Sequence, residues 1–213
     1  MKTVISLLIL FLSINTNISA QNGAYQQAMG EAMGQWGEAK SPEQMREVAN
    51  SFERIANQAT TEFHPHYYAA LVLINSSFAM QQATERDQII DRASEHVKKA
   101  AALSPGNDEV EVLRGYALMA KMVVDPMSRA QQYSPQIMQS FGKAMEMNPE
   151  NPRAAAMMAR QELGTAQYFG TEPVKACALA AQSLTLFEKE QVEGFNPGWG
   201  RDLAEEVSQA CKK

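Results

Sequence analysis

Lys99–Asp108 reads KAAALSPGND, and Lys143–Pro152 reads KAMEMNPENP. Laid one over the other, they share Lys99/Lys143, Ala100/Ala144, Pro105/Pro149 and Asn107/Asn151 at an offset of 44 residues. Each stretch is the end of one helix, a turn, and the start of the next. Pro65 precedes Asp108 by 43 residues in the same sense. A supersecondary unit that recurs at a fixed period is the signature of a solenoid. One helical hairpin cannot bury its apolar face alone; stacked hairpins can.

Outward from this repeat, the chain reads as helices throughout. Tyr25, Ala28, Met29, Ala32, Met33 and Trp36 make one apolar helical face, with Gly30, Gly34 and Gly37 on another, where they would permit close helix–helix approach. Ser41-Pro42-Glu43-Gln44 is a capping sequence, with Ser41 at N-cap, Pro42 at N1 and Gln44 at N3. Tyr67–Ile74 is apolar all round, as a helix buried among others would be. No stretch alternates with period two long enough to make a strand. The expected helices span 22–38, 42–61, 65–81, 86–103, 108–124, 135–147, 152–169, 172–189 and 199–211. The first would cap the stack and the other eight would form four antiparallel hairpins. The predicted fold is therefore all-α, an α-solenoid.

These residues resemble the tetratricopeptide repeat (TPR) family. That family's second helix carries a small residue, a bulky one, an Ala and then Pro, and Ala93, Val97, Ala100 and Pro105 match one copy. Ile137, Phe141, Ala144 and Pro149 match another, with Ile137 in place of the small residue, and Gly115 falls on the small position of the intervening first helix. The period of 43–44 departs from the family's shorter one, and Glu111 stands where the family has an aromatic. The layout also looks like a group of exported TPR proteins of Bacteroidetes-type bacteria, through Trp199-Gly200 and the Asp125–Arg129 segment. The resemblance implies a TPR-like superhelix that acts as a scaffold, and no chemistry.

Met1–Ala20 has the pattern of a secretory signal peptide: Lys2, then the apolar Val4–Leu12, then a polar stretch ending in small residues. Residues 21–213 would then form a single domain, with no transmembrane segment in the mature chain, exported to the periplasm or onward to the surface or medium. The 213 residues carry 19 Lys+Arg against 24 Asp+Glu, a net charge of −5 that argues against a nucleic-acid partner. In an exported chain two cysteines tend to pair. Cys177 and Cys211 sit at adjacent ends of one expected hairpin; two reduced core thiols are the alternative.

Candidate chemistry is sparse. His64 and His66 flank Pro65 at a spacing that points their rings apart, and His96 lies mid-helix; turn and surface histidines are the favoured reading, with no metal site. The 13 Met residues read as core filler rather than a thioether copper site. No hydrolase elbow, phosphate loop or zinc-protease motif occurs, so no catalytic residue and no cofactor is expected. Asp125–Pro135 is read as an inserted connector whose Met127, Arg129 and Tyr133 are candidate partner contacts. The expected function is a non-enzymatic scaffold that binds a protein or peptide partner on its concave helical face. The alternatives are a structural subunit of an envelope assembly, held by the glycine and Met faces of the first helix, and a metal carrier or enzyme.

Overall fold

The computed structural model describes residues 23–212; the expected signal peptide, residues 1–20, lies outside them. Among the described residues the chain is all-helical, with nine helices. They are α1 (23–38), α2 (Pro42–Gln58), α3 (His64–Phe78), α4 (Ala83–Leu103), α5 (Asp108–Met122), α6 (Pro126–Met147), α7 (Pro152–Phe169), α8 (Val174–Phe187) and α9 (Arg201–Ala210).

The repeated sequence blocks are helix-start devices. Asn107 caps α5 by accepting from the Val110 N–H, and Asn151 caps α7 by accepting from the Ala154 N–H. Ser41 does the same for α2 through the Gln44 N–H, while the Gln44 side chain reaches back to the Lys40 N–H. At the other end of α7, Gly170 takes a left-handed conformation (φ 64°) that closes the helix.

The tightest pairings are α3 with α4, α5 with α6, and α7 with α8. This is one helix out of phase with hairpins counted from α2, which joins the stack against α3, while α9 lies across both α7 and α8. The hairpins stack into an α-solenoid. Ala93, Val97 and Ala100 of α4 and Ile137, Phe141 and Ala144 of α6 are buried within it, while Pro105 and Pro149 lie exposed in the inter-hairpin turns. Gly115 of α5 faces the ring of Phe141, and a Cβ there would overlap the ring. A disulfide joins Cys177 on α8 to Cys211 just past α9, with Sγ atoms 2.04 Å and Cα atoms 5.8 Å apart.

Two sequence expectations are corrected. Residues 125–135 are no connector: α6 starts at Pro126 and runs through Pro135. Asp125 accepts from the Ser128 N–H and Pro126 occupies the first turn, the same start device as Ser41-Pro42. Pro135 removes one helical hydrogen bond and crowds the carbonyl four residues before it, a cost offset by packing of Tyr133 and Ile137 on the core to either side. The glycines of α1 admit no neighbouring helix, for a Cβ at Gly30, Gly34 or Gly37 would meet no atom within 4 Å. The buried face of α1 is instead Met29 and Ala32.

Candidate functional site

The first helix of each hairpin faces inward: α3 touches α5, and α5 touches α7. Across these three helices lies the chain's own C-terminal segment, Glu190–Gly200. The Tyr68 hydroxyl donates to the carbonyls of Phe195 and Asn196, at 3.1 and 3.3 Å. The Trp199 indole N–H donates to the Tyr67 hydroxyl at 2.8 Å, and its ring stacks on Tyr116, with centroids 5.7 Å apart. Phe195 meets Tyr25 edge-on. The inner face, where a peptide was expected to bind, is thus occupied by residues of the same chain.

Beneath that segment sits a buried ion network. Arg153, 4% exposed, donates through Nε to both carboxylate oxygens of Glu109 at 2.8 and 2.9 Å. Its two Nη groups donate to Glu190, and Nη1 also reaches the Trp199 carbonyl at 3.4 Å. Asn151 adds a donor to Glu109 at 2.8 Å. Burial drives the Glu109 carboxyl up to about 7, against the pull of Arg153. All three guanidinium nitrogens of Arg153 are engaged, one cation between two carboxylates, and the network fastens the C-terminal segment to α5 and α7.

His64 and His66 are partly exposed at the start of α3, but His96 is no surface group. His96 is buried, and its Nε2 lies 2.7 Å from Glu53 on α2. A carboxylate only accepts, so His96 Nε2 donates; its Nδ1 then accepts from His66 Nδ1, 2.9 Å away on α3. Arg92 completes the cluster by donating to Glu53 at 2.8 Å and to Asn50 at 2.6 Å. Burial, then the charge of Lys99 and the repulsion His96 would exert were it also protonated, push His66 down to about 4. The cluster ties α2, α3 and α4 together.

Among the described residues, two grooves stand out as larger than the clefts of about 190 and 270 Å³ around Arg153 and Glu190, and they are of nearly equal size. One, about 580 Å³, lies between α1 and α2 and is lined by Glu38, Glu43, Arg46 and Glu47. The other, about 570 Å³, lies between the Ser104–Asn107 turn, α5 and the end of α6; Val110, Glu111, Arg114, Lys143 and Met147 line it. Among the described residues no group of three or more His, Cys, Asp or Glu could hold a metal ion, and no helix is long and apolar enough to cross a membrane.

Of the candidate partner contacts, Met127 projects freely at 81% exposure. Arg129 turns inward instead, with both Nη groups 2.7 Å from Asp87 and Nη1 also 3.0 Å from the Lys121 carbonyl; Tyr133 packs against the core. Reading the sequence missed Glu109, Arg153 and Glu190, whose partners lie 37–44 residues away, beyond any local spacing rule. The one available signal was a lone Arg153 heading the Ala- and Met-rich run Ala154–Ala159.

No family model matches the chain, and no curated protein matches it. The TPR resemblance therefore rests on the residues quoted above. Among solved structures the fold is similar to the HusA haemophore from Porphyromonas gingivalis, a Bacteroidetes species, with a TM-score of 0.75 and 27% identity. The match covers 90% of this chain and 92% of that one.

Proposed function

We propose that the protein is an exported, non-catalytic carrier of haem. The observation that carries this reading is the likeness to a haemophore along nearly the whole of both chains. The reading promotes the carrier, ranked behind a peptide-binding scaffold on sequence grounds, to first place. Occupation of the inner face by the chain's own C-terminal segment weighs against a peptide groove there. The Cys177–Cys211 disulfide supports an oxidising compartment outside the cytoplasm, as the signal-peptide pattern does. Haem is the cargo, to be bound and released unchanged, so the protein needs an apolar surface for the ring and cations for its two carboxylates. Titration of haem into the purified mature chain, followed by the haem Soret band, tests the reading. A saturable spectral change with one haem per chain is expected. A spectrum identical to that of haem in buffer would reject it.

A second reading, contact with a partner protein, is favoured by apolar residues exposed beside the intra-hairpin turns. Met127, Tyr168, Phe169 and Val174 are 81%, 68%, 70% and 73% exposed. Such an edge suits a protein that must hand cargo on. Changing Tyr168 and Phe169 to Ser should leave haem binding intact and slow transfer of haem to membranes from the producing cell. Unchanged transfer would remove this reading.

A further inference from the structure

We propose that the groove between the Ser104–Asn107 turn, α5 and the end of α6 is the cargo site, with Arg114 and Lys143 gripping the haem carboxylates. This rests on the haem-carrier reading and names the site within it.

The choice between the two open grooves is made by charge, because their volumes, about 580 and about 570 Å³, are nearly the same. Both fall within the roughly 300–1,000 Å³ of ordinary small-molecule sites. The α1–α2 groove presents Glu38, Glu43 and Glu47 against Arg46, a surplus of negative charge. The α5–α6 groove presents Arg114 and Lys143 against Glu111, a surplus of positive charge. An anion with two carboxylates is repelled by the first and drawn to the second.

Side-chain direction strengthens the point. Glu111 is turned inward, its side chain 10% exposed, whereas the side chains of Arg114 and Lys143 are 40% and 58% exposed. Lys143 donates to Glu111 at 3.0 Å, and Arg114 Nε stands a loose 3.4 Å from it. A guanidinium has five donors and an ammonium three. Among the described residues neither Nη group of Arg114 makes a hydrogen bond, so most donors of the pair are unengaged at the groove's lining. The inward carboxylate holds the cations in place and leaves their outer sides free. Apolar surface stands beside them: Met147 at the groove wall is 36% exposed and Leu103, preceding the lining Ser104, is 37% exposed, with the partly buried Ala101 and the buried Val110 behind. A planar ring laid on Met147 would lie in the same groove as the cations.

The test uses the full mature chain and two probes, haem and haem dimethyl ester, which keeps the ring and iron but lacks the carboxylates. Arg114→Gln with Lys143→Gln should weaken haem binding roughly ten-fold or more, since charge-assisted hydrogen bonds are about twice as strong as neutral ones. The same pair should leave ester binding unchanged. Wild-type affinity for haem should fall with added salt, and the double variant should lose most of that dependence. Arg46→Gln in the other groove should change nothing. Far-UV circular dichroism confirms that each variant is folded. Wild-type binding that the double variant retains in full would overturn the site and leave the carrier reading standing. Absence of haem binding by the wild-type chain would overturn both.

Discussion

The inner face and the α5–α6 groove both carry Arg next to Glu, and they differ in how completely those charges are matched. On the inner face Arg153 has its guanidinium closed between Glu109 and Glu190, with the Trp199 carbonyl beside it and aromatic rings sealing the surroundings. In the groove, Arg114 and Lys143 share one inward carboxylate and turn their remaining donors to solvent. A buried charge must be satisfied within the fold, because leaving it unpaired costs more than folding can spare. An exposed charge bears no such requirement and remains available to a ligand. The concave face of a solenoid is therefore not its binding site by default: here it is the fastening for the C-terminal segment.

The sharpest way to break this contrast is to remove Arg153. Arg153→Ala strands Glu109 and Glu190, and urea denaturation should show a loss of about 3–5 kcal/mol. The matching change in the groove, Lys143→Ala, leaves Glu111 its contact with Arg114 and should cost about 1 kcal/mol or less. Equal losses at the two sites would erase the distinction. Next in size is the disulfide, which pins the α8–α9 pair that carries the segment. Changing Cys177 and Cys211 to Ser frees a 34-residue separation, and the loop-entropy model gives a loss of about 3–4 kcal/mol. An unchanged denaturation midpoint would mean that the inner-face contacts alone hold the segment.

The smallest effect concerns the histidine cluster that joins α2, α3 and α4. His66 has its folded pKa pushed down to about 4, so the unfolded chain takes up the proton first. Stability should thus be lost as pH falls from the unfolded value of about 6.5 towards 4. Solvent screening of this half-buried ring reduces the loss to about 1 kcal/mol. His66→Gln should flatten that part of the pH profile; an identical slope in both proteins would refute the assignment.

The repeat was legible because its signals are local. Asn107 and Asn151 cap helices within three residues of themselves, and the apolar faces of α4 and α6 show at helical spacing. The start of α6 was misread because Pro135 looked like a first-turn proline, although Asp125-Pro126 repeats the Ser41-Pro42 device nine residues earlier. The disulfide was readable from export and hairpin ends together. The binding surfaces were not. Trp199 meets Tyr67 across 132 residues, and His66 meets His96 across 30, and no periodicity encodes such pairs. Lys143 was visible as a repeated residue, but its opposition to Glu111 and Arg114 exists only once α5 and α6 are packed together.

The most direct measurement is the paramagnetic broadening that bound ferric haem imposes on backbone amide resonances of the labelled, full mature chain. Loss of signal should centre on residues 101–114 and 143–147, while amides of α7, Glu190–Gly200 and the α1–α2 groove stay sharp. Broadening centred on the inner face or between α1 and α2, or no broadening at all, would contradict a haem carrier that takes its cargo at the edge.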